Sequence, residues 1–88
     1  MNPKVTKELI ESKIKDVEIV THISRSGQIL RWAVITMENG FAVTGNPSCA
    51  VDPMNDDITM GSAIAIENAK ANIWALEGYL LKNKMQTH

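Results

Sequence analysis

Trp32 and Trp74 offer rings on which a base can stack, and Arg25 and Arg31 offer guanidinium forks that match a phosphate. Asn46, Ser48 and Asn68 can hydrogen-bond the edge of a planar ligand. Together these residues suit a nucleotide-type small molecule. Each also has a plainer use. Both tryptophans sit beside apolar stripes and read first as core, and Arg31 shares a predicted strand face with Ala33 and Ile35, so its charge must reach a rim, a carboxylate or a ligand.

No catalytic set is legible. His22 falls on the polar side of a predicted strand and His88 ends the sequence, where a surface role is the default. Cys49 has no Lys, Arg or His beside it to lower its pKa, and is expected to be a small buried or half-buried residue. Asp52, Asp56 and Asp57 carry oxygen ligands, but their spacing matches no calcium loop, and they read as turn formers and caps. "GNPSC" and "GSAIA" hold too few glycines for a phosphate-cradling loop. The expectation is a protein that is not an enzyme and carries neither metal nor cofactor.

The 88 residues suffice for one domain with a modest core, and help from a partner chain would be welcome. Nine basic residues against ten acidic ones leave a net charge of -1, which removes any global electrostatic case for nucleic acid or an anionic membrane. Charge is uneven: residues 38–57 hold Glu38, Asp52, Asp56 and Asp57 with no cation. With a single cysteine, no long apolar run and no apolar centre in "MNPKVTKELIESK", the sequence reads as cytosolic.

The elements that must position these side chains follow from the pattern. Thr6 can cap a helix from Lys7 to about Lys15, with Leu9, Ile10, Ile14 and Val17 as its apolar stripe. "VEIVTHIS" alternates as a half-buried strand, "RSGQ" is a turn, and "ILRWAVITM" is a strand apolar on both faces and therefore central. Asn39-Gly40 predicts a tight hairpin of type I′ leading to "FAVTG". Pro47, Pro53 and several Asn and Asp make residues 46–58 a loop.

The last helix is expected over residues 59–84, with Ile66, Ala69, Ile73, Leu76 and Leu80 facing the sheet. Met60, Ile64, Ala71, Ala75 and Gly78 fall on nearly the opposite side, where a monomer should be polar. A glycine inside a helix costs about 1 kcal/mol relative to alanine. Either the small residues admit a second copy of the chain, or Gly78 ends the helix and the chain turns back. At about 39 Å the helix is longer than a compact globule of this size, so it breaks or protrudes. The fold class expected is α+β, in the order α-β-β-β-α: a helical segment over 1–16, a three-stranded antiparallel meander over 17–45, the loop, the long helix packed on the sheet, and a tail at 85–88, all in one domain.

"MENGFAVTG" followed by "GSAIAIENAKANIWALEGYLLK" resembles a family of small tailed-phage proteins named after products of the podoviruses N4 and Sf6. The matching positions include Asn39-Gly40-Phe41, Val43, Gly45, Pro53, Asp57, Gly61, Ala65, Glu67-Asn68-Ala69, Ile73-Trp74 and Glu77-Gly78-Tyr79-Leu80, and the resemblance covers residues 18–83. It departs at Asp56, where the family usually has an aromatic, and at Ser62 and Ala63, where it usually has basic residues. The resemblance implies phage origin and hence the host bacterial cytoplasm, but no established activity. Small phage proteins of this kind are often accessory factors that disarm host defence by binding. The leading expectation is a counter-defence protein that forms a homo-oligomer through Met60, Ile64, Ala71, Ala75 and Gly78 and sequesters a nucleotide-type signal. The alternative is an inhibitor or adaptor that binds a host protein through the acidic 46–57 loop.

Overall fold

A computed structural model describes residues 4–50 and 53–86, so Asp52 and His88 lie outside the described residues. Thr6 accepts the amide of Leu9 at 3.1 Å and opens helix α1, Lys7–Lys13, shorter than expected because Ile14 already adopts extended backbone. Strands β1, Ile14–Ile23, and β2, Ile29–Met37, form a long antiparallel pair. Strand β3, Ala42–Thr44, pairs with the Val34–Thr36 end of β2. The architecture is the α+β arrangement that the sequence predicts, with one strand more.

That strand is β4, Ser48–Ala50, which pairs antiparallel with Ile29–Arg31 of β2. The stretch expected to be a loop thus carries a strand and a 3-10 turn, Pro53–Asn55. The reason is tertiary: β3 covers only one end of a nine-residue strand, and the free edge at its other end is paired by three residues too few to show alternation. From Thr44 to Ser48 is four steps, while their partners Val34 and Arg31 are three apart, so β3 and β4 are one edge strand interrupted by a bulge of one extra residue.

Both hairpins use the same connection, and it is not the type I′ turn expected from Asn39-Gly40. Gly40 has φ 90° but Asn39 does not have positive φ. Gly40 donates to Met37 O at 2.8 Å, Met37 donates to Phe41 O, and the Asn39 side chain accepts the Phe41 amide at 3.0 Å. This is a three-residue connection closed by a left-handed glycine. Gly27, with φ 94°, plays the same part between Ser24 and Gln28.

Helix α2, Ile58–Gln86, begins where the Asp57 side chain accepts the Met60 amide at 3.0 Å. It crosses the face of the sheet that carries Arg31, Ala33, Ile35 and Met37, all buried. Its buried residues are Ala65, Ala69, Ile73 and Glu77, with Ile66 half-buried; Leu76 and Leu80, expected to face the sheet, are exposed, because they line an open cavity beside Met37 and Phe41 instead of packing into the core. Ile10 of α1 completes the core, and Lys13 at the end of α1 holds Glu77 at 2.7 Å.

Gly78 does not end the helix. Nothing lies within 4 Å of where its Cβ would be, and the chain stays helical for two further turns. The helix protrudes instead, giving a radius of gyration of 15.8 Å and a longest dimension of 55 Å, against a radius of about 12 Å for a compact chain of this length.

Small residues set how closely α2 approaches. Ala65 and Ala69 are fully buried over Ala33, and Gly45 in the bulge lies directly against the helix backbone. A Cβ on Gly45 would stand 2.6 Å from the carbonyl oxygen of Asn68, and closer still to the Asn68 carbonyl carbon and the Ala69 amide nitrogen. Neither backbone can yield locally. Gly45→Ala is therefore expected to destabilise the fold by at least about 2–3 kcal/mol, measured as a shift in the urea unfolding midpoint, whereas Gly78→Ala, which meets nothing, should leave the midpoint unchanged or raise it.

Candidate functional site

Arg31 sits on the inner face of β2 next to Ala33, a position where an unpaired charge would be costly. The structure pairs it with Asp56. Both guanidinium nitrogens, Nη1 and Nη2, donate to the two carboxylate oxygens, the Nη2 bond at 2.6 Å, in a bidentate fork. The Arg31 hydrogen bond holds the Asp56 carboxyl below the ordinary aspartate range. Of the three outlets open to Arg31 in the sequence, the chain itself supplies the carboxylate.

The pair forms the floor of a cleft of about 560 Å³ between β4, the 3-10 turn and the first turns of α2. Ile29, Met60 and Ile64 give it apolar walls. Ser48, Asp56 and Asp57 give it polar ones. The Ser48 hydroxyl donates to Gly61 O at 2.8 Å, which fastens β4 to the start of the helix and fixes the width of the cleft.

The remaining residues expected at a binding site are dispersed. Asn68 donates its side-chain amide to Asn46 O at 2.9 Å, and Asn72 does the same to Thr44 O at 2.7 Å, so these amides satisfy the carbonyls of the interrupted strand. Trp32 projects from the face of the sheet that α2 does not cover and is half-buried there. Trp74, 42% exposed, lies on the outer side of α2. The two rings are on opposite sides of the molecule and share no pocket within one chain. Arg25 is exposed in the β1–β2 connection. Cys49 is also exposed, not buried or half-buried, because alternation in β4 turns Ser48 and Ala50 towards the helix and Cys49 away.

The five α2 residues proposed for association divide into two groups. Met60 and Ile64, 61% and 45% exposed, line the cleft. Ala71 and Ala75 are exposed and Gly78 half-buried further along the helix. The sequence pattern missed the cleft itself, because its geometry depends on β4 and on Asp56 reaching β2.

A second cavity, of about 260 Å³, lies at the other end of the sheet between Met37, Phe41, Ile73, Leu76 and Leu80. The Lys13–Glu77 pair borders it.

A family model described as phage protein (N4 Gp49/phage Sf6 gene 66) matches residues 5–85. The chain belongs to that phage protein family. The match extends to both helices and every strand, wider than the 18–83 span of the motifs read from the sequence. No curated protein and no solved structure matches this family member. No helix among its described residues is long and apolar enough to cross a membrane.

Because the folded state holds Asp56 below its ordinary value, the pair stabilises the protein above the unfolded value near 3.8 and loses that contribution as the pH falls through the folded value. Asp56→Asn should be less stable than the wild type at pH 7, and the gap should close as the pH is taken below 3.8. Denaturant unfolding at a series of pH values checks this.

Proposed function

We propose that this protein is a non-enzymatic phage accessory factor that self-associates and sequesters a nucleotide-type signalling molecule, acting against host defence. The observation that carries the reading is the cleft of about 560 Å³ at the head of α2, large enough for a nucleotide. Ile29, Met60 and Ile64 suit the faces of a base, and the Asp57 carboxylate and Ser48 hydroxyl suit ribose hydroxyls or a ring edge. Asp56 takes two of the five N–H donors of Arg31, and in this reading the other three serve a phosphate at the floor.

Self-association and binding belong together in this reading. Met60 and Ile64 lie on the outward side of α2 and also form a wall of the cleft, so a second copy seated on that helix would close its open side. Ala71, Ala75 and Gly78 continue the same side with little bulk, which permits close backbone approach. A host-protein adaptor is the second reading, and Met54 favours it: the residue stands 89% exposed on the acidic loop beside Asp56 and Asp57.

A thermal-shift screen with cyclic dinucleotides, cyclic ADP-ribose isomers and mononucleotides tests the proposal. A ligand at 100 times its dissociation constant adds about 2.7 kcal/mol, which raises the melting point of so small a domain by about 10 °C or more. The rise should be selective, and Asp57→Asn, which keeps the helix cap but removes the charge, should reduce it without lowering the ligand-free melting point much. A flat panel with folded protein overturns the nucleotide reading in favour of the adaptor. Met54→Ala and Asp57→Asn, which leave the Arg31–Asp56 pair in place, should then weaken recovery of a defined host protein.

A further inference from the structure

Strand β1 is the edge of the sheet, and among the described residues nothing pairs with its outer side. It is ten residues long and contains no proline, and α2 does not shelter it, because the helix runs over β2 and the β3–β4 edge. Val17 and Ile19 are each 38% exposed and Ile23 is 62% exposed, although all three point to the same side of the sheet as the core. A long apolar edge of this kind is a template for another strand, and natural proteins usually blunt it.

The backbone fixes what that strand must match. Ser24 N donates to Gln28 O, so the even-numbered residues of β1 exchange hydrogen bonds with β2, and Val17, Ile19, Thr21 and Ile23 turn their amides and carbonyls outward. A second β1 running antiparallel about a twofold axis must pair odd with odd. Centred on Val20, the axis sets Val17 against the second copy's Ile23 and Ile19 against its Thr21, joining the exposed apolar residues into one strip.

On the other face this register sets Glu18 against the second copy's His22, twice over. These are non-hydrogen-bonded positions, where cross-strand side chains lie closest. Within the described residues neither the Glu18 nor the His22 side chain has a hydrogen-bond or ion-pair partner. Shifting the axis one pleat either way loses the Glu18–His22 pairing and the Val17–Ile23 contact together.

We propose that two copies of this chain join edge to edge through β1, in the antiparallel register centred on Val20, into one continuous sheet. This interface is separate from the outward face of α2. The occupant is a second copy because the edge is complementary to itself in backbone, apolar side chains and charge.

Light scattering on the full chain at about 100 µM, well above the dissociation constant of a typical dimer, decides it. The wild type should weigh at least twice the 9.7 kDa of one chain. Thr21→Pro removes an amide that points away from β2, so it should halve the mass while circular dichroism shows the fold intact. Glu18→Lys should also halve it, and adding His22→Glu should restore it. A monomeric wild type, or a mass unmoved by both Glu18→Lys and Thr21→Pro, overturns the proposal. Ligand binding is read separately: a flat thermal-shift panel with the β1 dimer intact would remove the nucleotide reading and leave this interface standing.

Discussion

The close contact between the backbone of α2 and the bulge in the edge strand governs the rest of the structure. Gly45, Ala65, Ala69 and Ala33 remove bulk on both sides of the seam, so the helix lies against the sheet with little side chain between them. Close approach brings the Asn68 and Asn72 amides within reach of Asn46 O and Thr44 O, and Ser48 within reach of Gly61 O. An edge strand interrupted by a bulge leaves carbonyls that β2 does not pair. The helix supplies the missing donors, so packing and polar satisfaction reinforce each other.

A seam this narrow uses little of a 29-residue helix. Four of its residues are buried, and its far end runs on past the strands. That economy explains the shape of the molecule: an elongated chain with apolar side chains on the outer side of α2, on the uncovered face of the sheet and along β1. Chains of this length have little core to spare. The cleft at the head of α2 follows from the same geometry, since β4 and the helix start converge there around Arg31 and Asp56.

Much of this was legible in the residues. The Thr6 cap, the alternation of β1 and the two-sided apolarity of β2 gave the elements and their order, and Asn39-Gly40 marked the second hairpin even though its turn type differs. The buried Arg31 was recognisable as a charge in need of a partner. The identity of that partner was not, because Asp56 is 25 residues away and reaches β2 only through β4 and the 3-10 turn. β4 itself left no periodic signal in three residues. Leu76 and Leu80 lie at helical spacing from the core and are exposed all the same, since periodicity reports the side of a helix and not whether the space beneath it is filled.

Local rules thus determined the two helices, the first three strands and the inventory of side chains, because capping, alternation and turn chemistry act over a few neighbours. Tertiary structure alone decided which of those side chains meet. It committed Arg31 to Asp56, spent the Asn68 side chain on the backbone carbonyl of Asn46, and put Trp32 and Trp74 on opposite sides of the chain. Gly78 turned on the same distinction: its neighbours allow either a close packing contact or a helix stop, and the helix continues through it because no neighbouring element contests the space.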